Sequence, residues 1–181
     1  HVLYLVGLSA LNADTAKAIA KFKGQHLTLN GLKTLDADTA TALAEFKGQG
    51  LHLNGLTTLD ADAAKALLAL QAWVWNGQLP KLPSLDVDTV KMLVANQKWD
   101  GQLPALTAFE TPDSVAIAQA LATRKGPLTL PNLKKISPKT LTALIEKRDV
   151  QIPPIETLDL IPEPDGSLTE DFVIPEWLQS R

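Results

Sequence analysis

Hydrophobic positions along the chain switch between two periods within each stretch of about two dozen residues. From Leu27, leucines alternate with polar residues (Leu27, Thr28, Leu29, Asn30). That period of two marks a short strand with one buried face. Asn30-Gly31 then signals a turn, and Leu32 and Leu35 point back inward at the corner. Ala40, Leu43 and Ala44 follow at i, i+3 and i+4, one apolar stripe of a helix. Asp36 stands at the N-cap, Asp38 lies in the first turn near the positive helix end, and Gly48 is placed to end the helix.

This strand–corner–helix unit recurs. Taking the second apolar strand residue as the anchor, the units fall at Leu5, Leu29, Leu53, Leu79, Leu103, Leu130 and Ile152, with spacings of 24, 24, 26, 24, 27 and 22 residues. So regular a period predicts stacked repeats. The helix stripes are Ala16/Ile19/Ala20, Ala64/Leu67/Leu68, Val90/Leu93/Val94 and Leu141/Leu144/Ile145, capped by Asn12, Asp60, Asp86 and Ser137. In the fifth unit Thr111 is the expected cap, with Pro112 at the first helical position and Val115, Ala118, Leu121 and Ala122 as the stripe. One unit cannot bury both its apolar faces. Stacked units can, with strands in parallel about 4.8 Å apart and helices over one face of the sheet. The fold class expected is therefore α/β, a solenoid over residues 1–158 with about seven repeats.

Proline stands directly after the anchor in the later units (Pro80, Pro104, Pro131, Pro153), so those strands are expected to end at or before the anchor. The seventh unit has no helix pattern. Residues 159–181, rich in proline and acid, are expected to leave the array as a tail whose Phe172, Val173, Ile174, Trp177 and Leu178 cap the last repeat. At the other end Leu3 and Leu5 already belong to a full unit. The expectation is that further repeats or a protein partner cover that edge.

At this point the chain resembles a leucine-rich repeat. LTLPNLKKISPKTL in the sixth unit is similar to the I-x-I-P-x-x-V-x-x-I motif of bacterial BspA-like leucine-rich repeats, one residue shorter after the proline. The asparagine of the usual L-x-L-x-x-N-x-L ladder is replaced by Leu8, Leu32, Leu56, Leu82, Leu106, Leu133 and Ile155. The resemblance implies a binding scaffold, usually for proteins and often at the bacterial cell surface, outside the cytoplasm. It implies no catalysis.

Composition narrows the classes. From Ile155 onward seven acids face one base, and residues 1–154 hold the other 13 acids and 16 bases. Neither part has the dense basic stripe of a nucleic-acid surface. There is no cysteine for a disulfide or thiolate site, and no apolar run nears the roughly 18 residues of a membrane helix.

The candidate binding face follows from the strand register. Tyr4, Thr28, His52, Gln78, Gln102, Thr129 and Gln151 precede the anchors and point away from the core. Two residues earlier lie Val2, His26, Gly50, Asn76, Asp100, Pro127 and Asp149. This neutral, hydrogen-bonding surface fits a protein partner. An alternative is a carbohydrate module, with Trp75 and Trp99, one repeat apart, as a sugar platform beside Asn76 and Asp100. Against it, Gly77 and Gly101 stand where Leu27 and Leu51 fill the core, and each tryptophan is placed to fill that gap. The histidines are not expected to cluster: His26 and His52 lie in adjacent units at different registers, which disfavours a shared metal. No cofactor motif and no Ser/His/Asp trio stands out. Asp165-Gly166-Ser167 with Glu170 and Asp171 lacks calcium-loop spacing.

Overall fold

Strands one unit apart pair in parallel. The computed structural model describes residues 1–68 and 78–167. In it β1 (Val2–Tyr4), β2 (His26–Thr28) and β3 (Gly50–His52) form a parallel sheet with Leu3, Leu27 and Leu51 in one register. Later in the chain Gln102 bridges Thr129, and β4 (Leu128–Thr129) pairs with β6 (Val150–Gln151). A second, sparser parallel ladder runs beyond the corner: Ala108 bridges Lys135, and β5 (Lys135–Ile136) pairs with β7 (Asp159–Leu160). Six helices are described, α1 (Ala13–Ala20), α2 (Ala37–Leu43), α3 (Ala61–Leu68), α4 (Val87–Ala95), α5 (Ser114–Ala122) and α6 (Pro138–Ile145). Each packs on the next in the chain. The fold is mixed α/β with short parallel strands, and no described helix is long and apolar enough to cross a membrane.

The core lies between strands and helices. Leu27, Leu29, Leu51, Leu53 and the corner residues Leu32, Leu56, Leu82, Leu106 and Leu133 are buried together with Ala16, Ala40, Ala64, Val90, Leu93, Leu141 and Leu144. A fully buried leucine contributes about 1.5–3 kcal/mol and a cap about 1 kcal/mol, so the leucine columns dominate the energetics and the caps set the helix starts. Five caps sit where expected: Asn12, Asp36, Asp60, Asp86 and Ser137 each accept from the amide three residues on. The Thr39 amide holds the Asp36 carboxyl below the usual carboxylate range.

One turn makes the first six corners. The anchor carbonyl accepts from the amide three residues on, at 3.2 Å for Leu8 to Leu5, 3.1 Å for Leu32 to Leu29 and 3.3 Å for Leu106 to Leu103. Anchor amides still donate across the ladder, as from Leu29 to His52 at 2.9 Å and from Leu130 to Gln151 at 2.8 Å. The strands thus stop at the same place in asparagine and proline units. The corner turn sets that end, and proline merely suits the turn's second position. Gly31 and Gly55 serve the third position for a different reason. Neither has positive φ, but a Cβ on Gly31 would lie 2.2 Å from the Val6 carbonyl oxygen, and one on Gly55 1.9 Å from that of Asn30. At these two corners the preceding corner lies too close for a side chain at that position.

Three local expectations are corrected. Helix α2 ends at Leu43, well before Gly48, and the chain closes in tighter turns, with the Glu45 amide donating to Ala42 and the Phe46 amide to Leu43; a Cβ on Gly48 would strike the Phe46 ring at 2.2 Å. In the fifth unit Thr111 does not cap by its hydroxyl. Its amide donates to Ser114 Oγ at 3.1 Å, and α5 begins two residues past Pro112 after a tighter first turn. That shift buries Ile117 with Ala118 and Leu121, leaving Val115 and Ala122 half-buried. Finally, residues 159–163 stay tied to the preceding strand and helix. Asp159–Leu160 continue the second ladder, the Ile161 amide donates to Ile136, and buried Glu163 accepts from the Lys139 amide at 3.0 Å, capping α6. The expected capping residues Phe172 to Leu178 lie outside the described residues, as does the helix stripe's Leu68 side chain.

Candidate functional site: the strand face

The face opposite the helices is built by alternation along strands of two or three residues. Tyr4, Thr28 and His52 align across the first sheet, and Gln102, Thr129 and Gln151 align across the later strands. Tyr4 is 68% exposed. Gln102, Gln151 and Asp100 are exposed, while His52, Gln78 and Thr129 are half-buried. Thr28 is a correction: it is 7% exposed and offers almost no surface, lying between Tyr4 and His52 in its column. Asn76 and Trp75 lie outside the described residues.

These polar groups brace one another from layer to layer. Gln78 Nε2 donates to Asp100 Oδ2 at 3.4 Å, and the Gln102 amide donates to Asp100 Oδ1 at 3.0 Å. Thr129 Oγ1 donates to Gln151 Oε1 at 3.3 Å. The result is a row of amides, hydroxyls and one carboxylate held in place without a net positive field.

Trp99 belongs to the core. It is 2% exposed and packed in the apolar cluster, so it cannot serve as an open sugar platform. Gly101, at φ +80, carries the backbone past the ring where no other residue fits, since a Cβ would lie 2.2 Å from the Pro127 carbonyl oxygen. Arg124 seals the ring: its guanidinium lies 5.1 Å from the ring centroid and donates to the Trp99 carbonyl at 2.5 Å. Lys147, almost wholly buried, donates to the Arg124 carbonyl at 2.8 Å and pairs with Asp149 at 2.6 Å, holding the Asp149 carboxyl low. The pattern of apolar positions gave no hint of Arg124, because a cation over a buried ring has no period.

The histidines require a second correction. His26 and His52 stack, with ring centroids 6.0 Å apart and planes 24° from parallel. Their registers do differ, since His26 pairs with Gly50 and His52 with Thr28. But both rings rise from the same face, and Gly50 has no side chain to hold them apart. A Cβ there would lie 2.3 Å from His26 Nδ1. Partial burial, then the neighbouring His26, pushes the His52 imidazole below its ordinary pKa. The readable signal was a glycine directly across from a histidine.

Two surface recesses lie elsewhere, at helix C-terminal corners. One of about 670 Å³ is lined by Lys21, Phe22, Lys23, Glu45 and Lys47, and the other, of about 510 Å³, by Asn96, Gln97, Thr123 and Arg124. Neither includes the aligned strand residues. Compared with known proteins, the chain matches no family model, no curated protein and no solved structure.

Proposed function

We propose that the chain is a leucine-rich-repeat-like solenoid acting as a non-enzymatic scaffold, whose strand face receives a protein partner or packs within a larger assembly. The observation that carries this reading is the set of in-register polar side chains that reach the surface of the strand face, Tyr4 and His52 in the first sheet and Gln102, Thr129 and Gln151 in the later strands. Repeats of this kind present extended surfaces, and such surfaces suit macromolecules better than small substrates. The neutral, mutually braced amides favour a hydrogen-bonding partner over nucleic acid. The sugar-platform reading is weakened by the burial of the Trp99 ring.

Photo-crosslinking tests the reading. A crosslinker is placed at Gln102 or Gln151 on the strand face, or at exposed Ala116 or Gln119 on α5. The expected outcome is a discrete protein adduct from the strand positions and none from the helix positions. Equal labelling from both faces, or none from the strand face, contradicts it. Binding to a glycan array with no protein adduct selects the carbohydrate reading.

A further inference from the structure

We propose that His26 and His52 form a two-histidine site for a late first-row divalent cation, seated over Gly50. The site needs two donors on one face, and the parallel register supplies them: His26 and His52 stand on adjacent strands, offset by two residues, so both rings project to the strand face. Offset histidines ordinarily find a side chain between them. Here the intervening residue is Gly50, and the empty position of its Cβ lies 2.3 Å from His26 Nδ1 and 3.3 Å from His52 Nε2. The two nitrogens therefore flank one point and cannot be farther apart than those two distances combined. A tetrahedral ion with bonds of about 2.0–2.1 Å needs its nitrogens roughly 3.3 Å apart. That spacing lies within the bound these distances set, and the ring centroids stand 6.0 Å apart.

The chemistry of the donors selects the ion. Imidazole favours zinc, copper and nickel, while calcium and magnesium favour oxygen. Among the described residues no group of three or more His, Cys, Asp and Glu side chains converges on one point, so water completes the shell and the site stays open and exchangeable. The site does not depend on the scaffold reading, and either can fail alone.

Zn²⁺ alone is the probe, added to the full chain. His1→Ala is the common background, so that the third histidine of the chain contributes no ligand. Histidine-ring NMR and thermal melting follow the titration. The expected result is saturation at one equivalent, with the His26 and His52 rings shifting together and the melting temperature rising. His26→Ala and His52→Ala should each weaken binding by at least about tenfold. Gly50→Ala keeps both histidines but fills the space between them, and should weaken binding as much while the circular dichroism stays unchanged. Absence of saturable binding at roughly a hundredfold excess of Zn²⁺, or single-histidine or Gly50→Ala variants that bind as tightly as the background chain, overturns the proposal.

Discussion

The Asn54 amide donates to Asn30 Oδ1 across adjacent corners at 3.0 Å, while the Oδ1 of Asn54 itself is buried without a partner. The two facts have one cause. Asn30 and Asn54 hold the second position of consecutive corner turns, so each side chain faces the next layer's backbone at that position. After Asn54 that position is Pro80, which has no N–H to give. A short asparagine ladder therefore begins at Asn30 and ends where proline begins. Removing an acceptor from a buried amide costs about 1–3 kcal/mol. Asn30→Ala should lose that much in denaturant melts, and Asn54→Ala, which removes an orphaned oxygen, clearly less. Equal losses would mean the ladder bond carries no special weight.

Much of this was legible beforehand, for a physical reason. Strand alternation and helix stripes are imposed on every residue that faces the core, so the columns Leu27/Leu51 and Ala40/Ala64 and the caps Asn12 to Ser137 could be read from spacing alone. Features that depend on contact between layers were not. The asparagine ladder sits at the turn, displaced from the position where the resemblance sought it. The His26–His52 stack depends on what Gly50 lacks. Arg124 over Trp99 and Glu163 on α6 join residues 25 and 24 apart with no apolar period to mark them.

Two glycines in the same corner position should respond oppositely to alanine. Nothing lies within 4 Å of a Cβ on Gly7, whereas one on Gly55 meets the Asn30 carbonyl oxygen at 1.9 Å. Gly7 has no positive φ, so Gly7→Ala should be neutral or stabilise by up to about 1 kcal/mol by restricting the unfolded chain. Gly55→Ala should cost about 3 kcal/mol or more, because backbone must shift. Similar effects at both sites, in paired urea melts, would contradict the close corner-to-corner approach.

Stability should also respond to pH through His52. Its folded pKa lies below the ordinary histidine value, first through burial and then through the charge of His26. The unfolded chain thus takes up the proton more readily. The stabilisation is complete above the unfolded pKa of about 6.5 and is lost as pH falls through that value toward the lower folded one. The melting temperature should drop more between pH 7.5 and 5.5 in the wild type than in His52→Gln (about one unit either side of the unfolded pKa). At lower pH the cap carboxylate of Asp36, held low by the Thr39 amide, should add a second loss common to both proteins. A His52→Gln profile that overlays the wild type across the first window would count against the stacked pair.

The central claim is that each unit of 22 to 27 residues forms one layer, contacting only its neighbours, and this is most directly tested by removing one layer. Deleting residues 27–50 removes 24 residues and joins His26 to Leu51 in phase, so that Leu3 can pair with Leu51 as it did with Leu27. Deleting only residues 27–38 takes out half a unit and joins strand to helix out of phase. Circular dichroism and urea unfolding compare the two. A stacked array predicts that the in-phase deletion folds, keeps its helix content per residue and unfolds cooperatively, while the out-of-phase deletion does not fold. An in-phase deletion as disordered as the out-of-phase one would contradict the account.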